Sequence, residues 1–380
     1  MNKELSIYVH IPFCVQKCLY CDFLSAPASD GVRARYVEHL IQEIKEESQS
    51  YVNYKIKTIF LGGGTPSLLE PMQIAGIMRA LGENYRLEPD CEISMEANPG
   101  TCSPERAAAW KNAGINRVSI GLQSLNNAEL KALGRIHSAE DFYDTYEMLV
   151  KTGFNNINVD LMSAIPGQTM ESLCDTIHRV TALKPAPAHI SAYSLIIEEG
   201  TPFYEETPVL PEEDAEREMY KITNDMLFCA GYHRYEISNY AREGSECRHN
   251  KVYWQRGNYA GFGIGAASLV ENVRFANGKD LKSYLERGPV KENRQELSKE
   301  EQMEEFMFLG LRMMKGVSGE EFQRLFGKTI EQIYPGIVEK HIRNGLLRRY
   351  YDLEEKEERI ALTETGIDVS NVVMADFLLI

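Results

Sequence analysis

Residues 8–23 read YVHIPFCVQKCLYCDF, an apolar run that ends in three cysteines spaced C-x3-C-x2-C. Thiolates gathered on one short loop are the usual ligands of iron–sulfur clusters. A four-iron cluster has one iron more than Cys14, Cys18 and Cys21 can ligate. The spacing therefore predicts a [4Fe–4S] cluster in which one iron stays open to a further ligand, much as a catalytic zinc keeps an open position.

The cysteine spacing alone leaves other interpretations open. Three cysteines together with His10 form a ligand set that zinc also accepts. A disulfide framework is a second alternative, although it requires an oxidising compartment and is usual in small chains. A third alternative is that the three cysteines are unrelated. The remaining five cysteines lie far apart in the sequence without framework spacing, which favours a reducing cytoplasm.

Length and composition limit the class of protein. A chain of 380 residues accommodates one large barrel and a smaller domain. Its formal net charge of −15 argues against a nucleic-acid partner, because a basic surface supplies most of that affinity. No apolar run is long enough for a transmembrane helix. The N-terminus lacks a signal-peptide pattern, since polar residues and the cysteines follow too soon. We therefore expect a cytoplasmic protein.

Short strand-like runs alternate with helical patterns through the first half of the chain, as they do in βα units around a parallel sheet. The predicted strands are 5–11, 57–61, 91–97, 117–122, 156–162 and 189–195. The predicted helices between them include 33–50, 72–81, 139–152 and 170–183, and another begins with Ser103 as N-cap and Pro104 at its first position. Six such units are too few to close an eight-stranded barrel. The α/β fold expected here is an open, partial (βα)6 barrel of the TIM type.

Polar or glycine-rich residues follow five successive predicted strands. They are the cysteine loop, Gly62–Thr65, Glu96, Gln123 and Asp160. In barrel folds the chemistry lies at the carboxyl ends of the strands. One such strand end is ordinary, but five in register predict a single shared site.

The second half of the chain changes character. After a predicted helix at 212–230 come the motif HNKVYW at 249–254 and a glycine-rich segment at 257–268. Residues 289–298 are polar and are interpreted as a linker. Predicted helices at 301–314, 318–326 and 333–344, followed by a hairpin, resemble a winged-helix domain, although residues 353–358 are too acidic for a DNA-binding wing. We predict a barrel over 1–235, an extension at its mouth over 236–290, and a C-terminal α+β winged-helix-like domain over 291–380.

The cysteine spacing, with Tyr20 before the third cysteine, resembles the radical S-adenosylmethionine (SAM) superfamily. The runs YVHIPFC at 8–14 and GGGTPS at 62–67 resemble, more closely, the oxygen-independent coproporphyrinogen III oxidase family, which includes a branch of heme chaperones. The resemblance implies that Cys14, Cys18 and Cys21 hold the cluster. It also implies that electron transfer from the cluster cleaves SAM to a 5′-deoxyadenosyl radical. The SAM pocket that it implies is lined by Tyr8, Tyr20, Gly63, Gly64, Thr65, Glu96, Gln123, Arg135 and Asp160.

Three features indicate the heme-chaperone branch. Phe23 stands where the oxidases of the family usually carry a fourth cysteine, and the chain begins only seven residues before Tyr8, without their long N-terminal extension. The run 249–254 matches the H-N-x-x-Y-W motif of the chaperones. The resemblance implies heme bound through His249, with Cys247 as a second candidate ligand, because imidazole is a common axial ligand.

The function expected from this resemblance is heme transfer to an acceptor protein, such as a respiratory heme protein. A homodimer is expected too. No residue is assigned a catalytic role. The alternative is an enzyme, an oxygen-independent dehydrogenase that decarboxylates two propionates of coproporphyrinogen III to give protoporphyrinogen IX.

Overall fold

Six parallel strands that follow one another in sequence order form the centre of this computed structural model, which describes residues 3–379. The strands are β1 (Lys3–Ile11), β2 (Tyr54–Gly63), β3 (Arg86–Ala97), β4 (Arg117–Gln123), β5 (Asn156–Ser163) and β6 (His189–Ser194). Each pairs in parallel with the next. The predicted six-unit α/β barrel is confirmed.

Helices connect these strands and cover the outer face of the sheet. They are α1 (Asp30–Glu47), α2 (Pro71–Asn84), α3 (Pro104–Asn112), α4 (Asn127–Ala132), α5 (Ala139–Lys151) and α6 (Met170–Thr181), with short 3-10 turns at Ser48–Tyr51 and Pro66–Leu68. The Ser103 side chain accepts from the Arg106 amide and Pro104 opens α3, as predicted. Apolar helix faces, with Trp110 fully buried among them, pack on the strands in one continuous core.

Six further strands extend the barrel sheet on both sides, and four helices lie among them in the chain. In chain order, these elements are α7 (Pro202–Glu205), α8 (Glu213–Cys229), β7 (His233–Glu236), β8 (Asn239–Ala241), α9 (Arg248–Trp254), β9 (Tyr259–Phe262), β10 (Ala267–Val270), β11 (Val273–Asn277), α10 (Leu281–Arg287) and β12 (Lys291–Glu296). The order of the twelve strands is β12-β11-β10-β9-β1-β2-β3-β4-β5-β6-β8-β7. The barrel stays open because β1 pairs with β9 and β6 pairs with β8.

The glycine-rich segment at 257–268, for which the sequence predicted no element, contains β9, which lies parallel to β1, and the start of β10. One expectation for the second half was wrong. The predicted linker at 289–298 contains β12, which pairs antiparallel with β11. All but the first residue of β12 are exposed, so this edge strand lacks the alternating apolar pattern by which strands are recognised.

The C-terminal part has its own core and a three-stranded antiparallel sheet in the order β13-β15-β14. Its elements are α11 (Lys299–Gly310), β13 (Val317–Ser318), α12 (Gly319–Phe326), α13 (Ile330–Ile333), α14 (Ile337–Arg343), β14 (Leu347–Asp352), β15 (Glu357–Leu362), α15 (Glu364–Asp368) and α16 (Ser370–Ala375). The helix predicted at 333–344 is broken by Pro335 and by Gly336, which has a left-handed conformation. The proposed domain boundaries stay a prediction.

Across residues 3–379, no helix combines the length and the apolar composition that crossing a membrane requires.

Candidate functional site

The carboxyl ends of the barrel strands surround a cavity of about 340 Å³, referred to below as the barrel cavity. All three cysteines of the loop line it, and so do eight of the nine residues predicted to bind SAM. These eight are Tyr20, Gly63, Gly64, Thr65, Glu96, Gln123, Arg135 and Asp160. The structure therefore brings together residues that are scattered over five βα units.

The cysteine loop is held in place from two sides. The Leu19 amide donates to the Leu133 carbonyl at 3.1 Å, and the Thr65 amide donates to the Phe13 carbonyl at 2.6 Å. Arg135 reaches the loop directly, because its Nη1 lies 3.6 Å from Cys18 Sγ. This contact anchors the middle cysteine of the loop to the segment that follows α4. All three cysteines are free, so no disulfide competes with metal binding.

The zinc alternative does not match this geometry. His10 has both ring nitrogens occupied, with Nδ1 2.9 Å from the Tyr8 hydroxyl and Nε2 2.8 Å from the Leu24 carbonyl. Within residues 3–379, no three His, Cys, Asp or Glu side chains are arranged around the position of one metal ion. A single zinc would hold its thiolates at about 2.3 Å and so draw them close together. With both ring nitrogens of His10 engaged, the Cys3His set lacks its fourth ligand in this conformation, whereas three cysteines that line one cavity fit a cluster with one open iron.

The glycines at the end of β2 allow its backbone to lie in close contact with the end of β1. The Gly64 amide donates to the Ile11 carbonyl at 2.8 Å. A Cβ at Gly64 would lie 2.5 Å from the Phe13 carbonyl oxygen, which leaves no room for a side chain. Gly63 has φ +110°, in the region that favours glycine. The three-glycine run therefore brings the backbone of β2 against the start of the cysteine loop.

Two of the predicted SAM-binding residues that line the barrel cavity are acids, Glu96 and Asp160. Glu96 accepts from the Gly63 amide at 2.9 Å, and Asp160 accepts from Asn158 Nδ2 at 2.6 Å. Burial, and secondly the charge of Asp160, raises the pKa of Glu96 to about 8. Burial also raises the pKa of Asp160. Both carboxyl groups would be stabilised in their ionised form by a cation placed in this cavity.

The sequence analysis missed three residues at this site. Asn98 donates to Thr65 Oγ1 and accepts from Arg135 Nη2, both at 3.0 Å, so it links two predicted site residues. Asn158 positions Asp160, and the Tyr193 hydroxyl donates to Gln123 Oε1 at 3.3 Å. The signal for Asn158 was its position two residues before Asp160, which places both side chains on one face of β5.

Tyr8 and His249 lie beside a second, smaller cavity of about 230 Å³, called the side cavity below. Phe23, Gly63 and Glu96 line both it and the barrel cavity. His249 is buried, with Nδ1 2.7 Å from Thr58 Oγ1 and Nε2 2.8 Å from the Tyr253 hydroxyl. Burial lowers the pKa of His249 to about 3, with the nearby charge of Arg117 contributing.

His249 therefore presents no free ring nitrogen to a heme iron in this conformation. Cys247, the second candidate, is also fully buried. Its Sγ lies 3.7 Å from Glu92 Oε1. The expectation that either residue ligates heme stays a prediction that this geometry does not favour.

Two separate parts of the chain match known protein families. Residues 8–180 match the radical SAM superfamily, and residues 297–369 match the HemN C-terminal domain. The chain is 39% identical to the heme chaperone HemW of Lactococcus lactis subsp. lactis, over 100% of this chain and 98% of that protein. It is 36% identical to the heme chaperone HemW of Bacillus subtilis, over 98% and 99% respectively.

The structure is also similar to that of coproporphyrinogen III oxidase (HemN) from Escherichia coli, with a TM-score of 0.86 over 99% of this chain and 90% of that one. The two sequences are 21% identical, so this likeness shows the fold alone. An open barrel with three cysteines after its first strand defines the class: this is a radical SAM protein. Within that superfamily, the chain belongs to the HemW family.

Proposed function

We propose that the protein is a heme chaperone that carries a [4Fe–4S] cluster, binds SAM, and passes heme to an acceptor protein. The observation that carries the proposal is the 39% identity to a heme chaperone over 98% of that protein's length. A respiratory heme protein is the kind of acceptor that we propose, and a homodimer in solution stays a prediction.

The residues of the barrel cavity fit the two cofactors. Cys14, Cys18 and Cys21 would ligate three irons of the cluster, and the open iron would face the cavity that they line. A cluster of this type supplies an electron to SAM bound at its open iron. Arg135 would stabilise the Cys18 thiolate through its contact with Sγ.

The carboxyl groups support SAM as the cavity's ligand. SAM carries a sulfonium and an ammonium group, and Glu96 and Asp160 are the acids that a cation in this cavity would stabilise. Glu96 also accepts from the Gly63 amide, so its carboxylate is oriented by the three-glycine run. We propose that Glu96 accepts a hydrogen bond from the SAM ammonium group.

Proton release tests this contact. With a pKa of about 8, Glu96 is mostly protonated at pH 7 before SAM binds. An ammonium group beside it lowers that pKa, so binding at pH 7 should release up to about one proton. SAM affinity should accordingly rise between about pH 6 and pH 8, by at most about tenfold per unit, and fall above pH ~8, where the α-amino group of SAM loses its own proton. Isothermal titration in two buffers of different ionisation enthalpy measures the release.

Glu96→Gln is the informative variant, because it keeps the shape and loses the titration. We expect weaker SAM binding without proton release in that variant. The matched control is Glu198→Gln, which should retain the proton release. Glu198 also lines the cavity, and no hydrogen bond to its carboxylate is found among the described residues. Equal proton release by the wild type and Glu96→Gln would contradict the assignment.

The chaperone proposal is tested by titrating hemin into the anaerobic, cluster-containing protein. We expect saturable heme uptake, followed by transfer of the heme to an apo-cytochrome added afterwards. Incubation with coproporphyrinogen III and SAM under the same conditions should yield no protoporphyrinogen. Stoichiometric formation of that product, with no uptake of hemin, would replace the chaperone by the dehydrogenase.

A further inference from the structure

A cavity of about 630 Å³ lies outside the barrel. It is bounded by β7, by α9 with the residues after it, and by the C-terminal segment 306–318. We refer to it as the junction cavity. Its volume falls within the range of about 300–1,000 Å³ that is usual for small-molecule sites. The barrel cavity, at about 340 Å³, already has to hold the cluster and SAM.

We propose that heme binds in the junction cavity with His233 as a ligand of its iron. This inference rests on the proposed function and names the site where that function is carried out. Nothing in the sequence motifs pointed to this cavity, because its walls come from three distant parts of the chain.

The walls have the chemistry of a porphyrin site. Trp254, Phe306, Met313 and Met314 supply aromatic and thioether surface for a flat apolar ring. The indole Nε1 of Trp254 is shielded and has no hydrogen-bond acceptor among the described residues. Heme propionates are acceptors that reach the edge of such a site.

Lys315 is the cation of the lining best placed for an anionic ligand, because Arg256 and Arg359 already form ion pairs with Glu305 and Glu357. Five basic and three acidic side chains line the junction cavity, although the whole chain has a formal net charge of −15. Lys315 is half-exposed and lies 3.5 Å from both Glu354 and Glu355. Such an exposed, solvent-screened pairing is weak, so this ammonium group can turn toward a propionate.

His233 differs from His249 in the property that iron ligation requires. It is exposed and lines the junction cavity, and no hydrogen bond engages its ring among residues 3–379. The nearest aromatic ring is that of Phe228, in edge contact at 6.2 Å between centroids. A free imidazole at the rim of an apolar cavity is a suitable axial ligand.

Helix α9 separates this cavity from the cofactors. His249, Asn250 and Tyr253 line the side cavity, which adjoins the barrel cavity, whereas Lys251 and Trp254 line the junction cavity. The helical repeat of 3.6 residues places the two sets on adjacent sides of the helix. The motif at 249–254 would thus contribute to heme binding through Trp254, while His249 fixes the helix against Thr58 on β2.

The test compares hemin with iron-free protoporphyrin IX on the cluster-containing protein. In His233→Ala, hemin affinity should fall by at least about tenfold and the Soret band of the imidazole-ligated heme should be lost, while protoporphyrin IX binding changes by less than about twofold. Lys315→Glu should weaken the binding of both porphyrins. His178→Ala and Lys328→Glu change exposed residues outside the cavity, so they are the matched controls and should behave as the wild type.

Unchanged hemin binding in both His233→Ala and Lys315→Glu, with loss of binding in His249→Ala, would overturn the proposed site and leave the chaperone function standing. Failure of the wild type to take up any hemin would overturn the function and the site together. The two failures are therefore distinguishable.

Discussion

Cys18→Ala should abolish cluster assembly and leave the fold almost unchanged. The side chain of Cys18 is only partly buried and faces the barrel cavity, so its loss should change the free energy of unfolding by less than about 0.5 kcal/mol. Its thiolate, however, is one of only three that the loop offers to a cluster. Iron and sulfide content after anaerobic reconstitution should fall from about four of each per chain to background.

Cys229→Ala is the matched control, because Cys229 is exposed at the end of α8, outside the barrel cavity. It should assemble the cluster as the wild type does. Thermal unfolding followed by circular dichroism checks that both variants are folded. If Cys18→Ala retained wild-type iron and sulfide, the ligand assignment would have to be abandoned.

Gly64→Ala should weaken both the fold and the binding of SAM. The added Cβ would lie 2.5 Å from the Phe13 carbonyl oxygen and 2.9 Å from that of Ile11. Both are backbone atoms, and they accept hydrogen bonds from the amides of Thr65 and Gly64. The end of β2 must therefore separate from the start of the cysteine loop, at a cost of about 2–4 kcal/mol.

We expect this separation to appear in two measurements. The midpoint of urea unfolding should fall, and SAM affinity should fall by at least about tenfold because the loop that carries Cys14 is displaced. Gly82→Ala in α2 provides the contrast, since no atom lies within 4 Å of its added Cβ. That variant should be stabilised by up to about 1 kcal/mol. Equal stability and equal SAM affinity in the two variants would disprove the steric argument.

How far the sequence predicts this structure depends on the range of the interactions. The six barrel strands were predictable because each has a local apolar pattern, and the strand-end residues were predictable because parallel strands end at one edge. By contrast, β9 pairs with β1 across about 250 residues, and no local pattern reveals that partner. The exposed edge strand β12 was mistaken for a linker because it has no apolar face.

The same limit applies to the candidate sites. The sequence singled out His249 by its motif, yet its burial depends on Thr58, which lies 191 positions away. Tyr8 was grouped with the SAM residues, but its hydroxyl contacts His10, and it lies beside the side cavity instead. His233 carries no motif at all. It acquires a role only when β7, α9 and the C-terminal segment are folded against one another.

Helix α9 has a thermodynamic consequence, because it forms a wall of both the side cavity and the junction cavity. A displacement of α9 by a ligand on one side changes the volume of the cavity on the other side. Coupling free energies between two ligands are equal in both directions. If SAM in the barrel cavity displaces α9 through the adjoining side cavity and so lowers the affinity for heme by some factor, heme must lower the affinity for SAM by the same factor. The two ligands would then compete without being in contact.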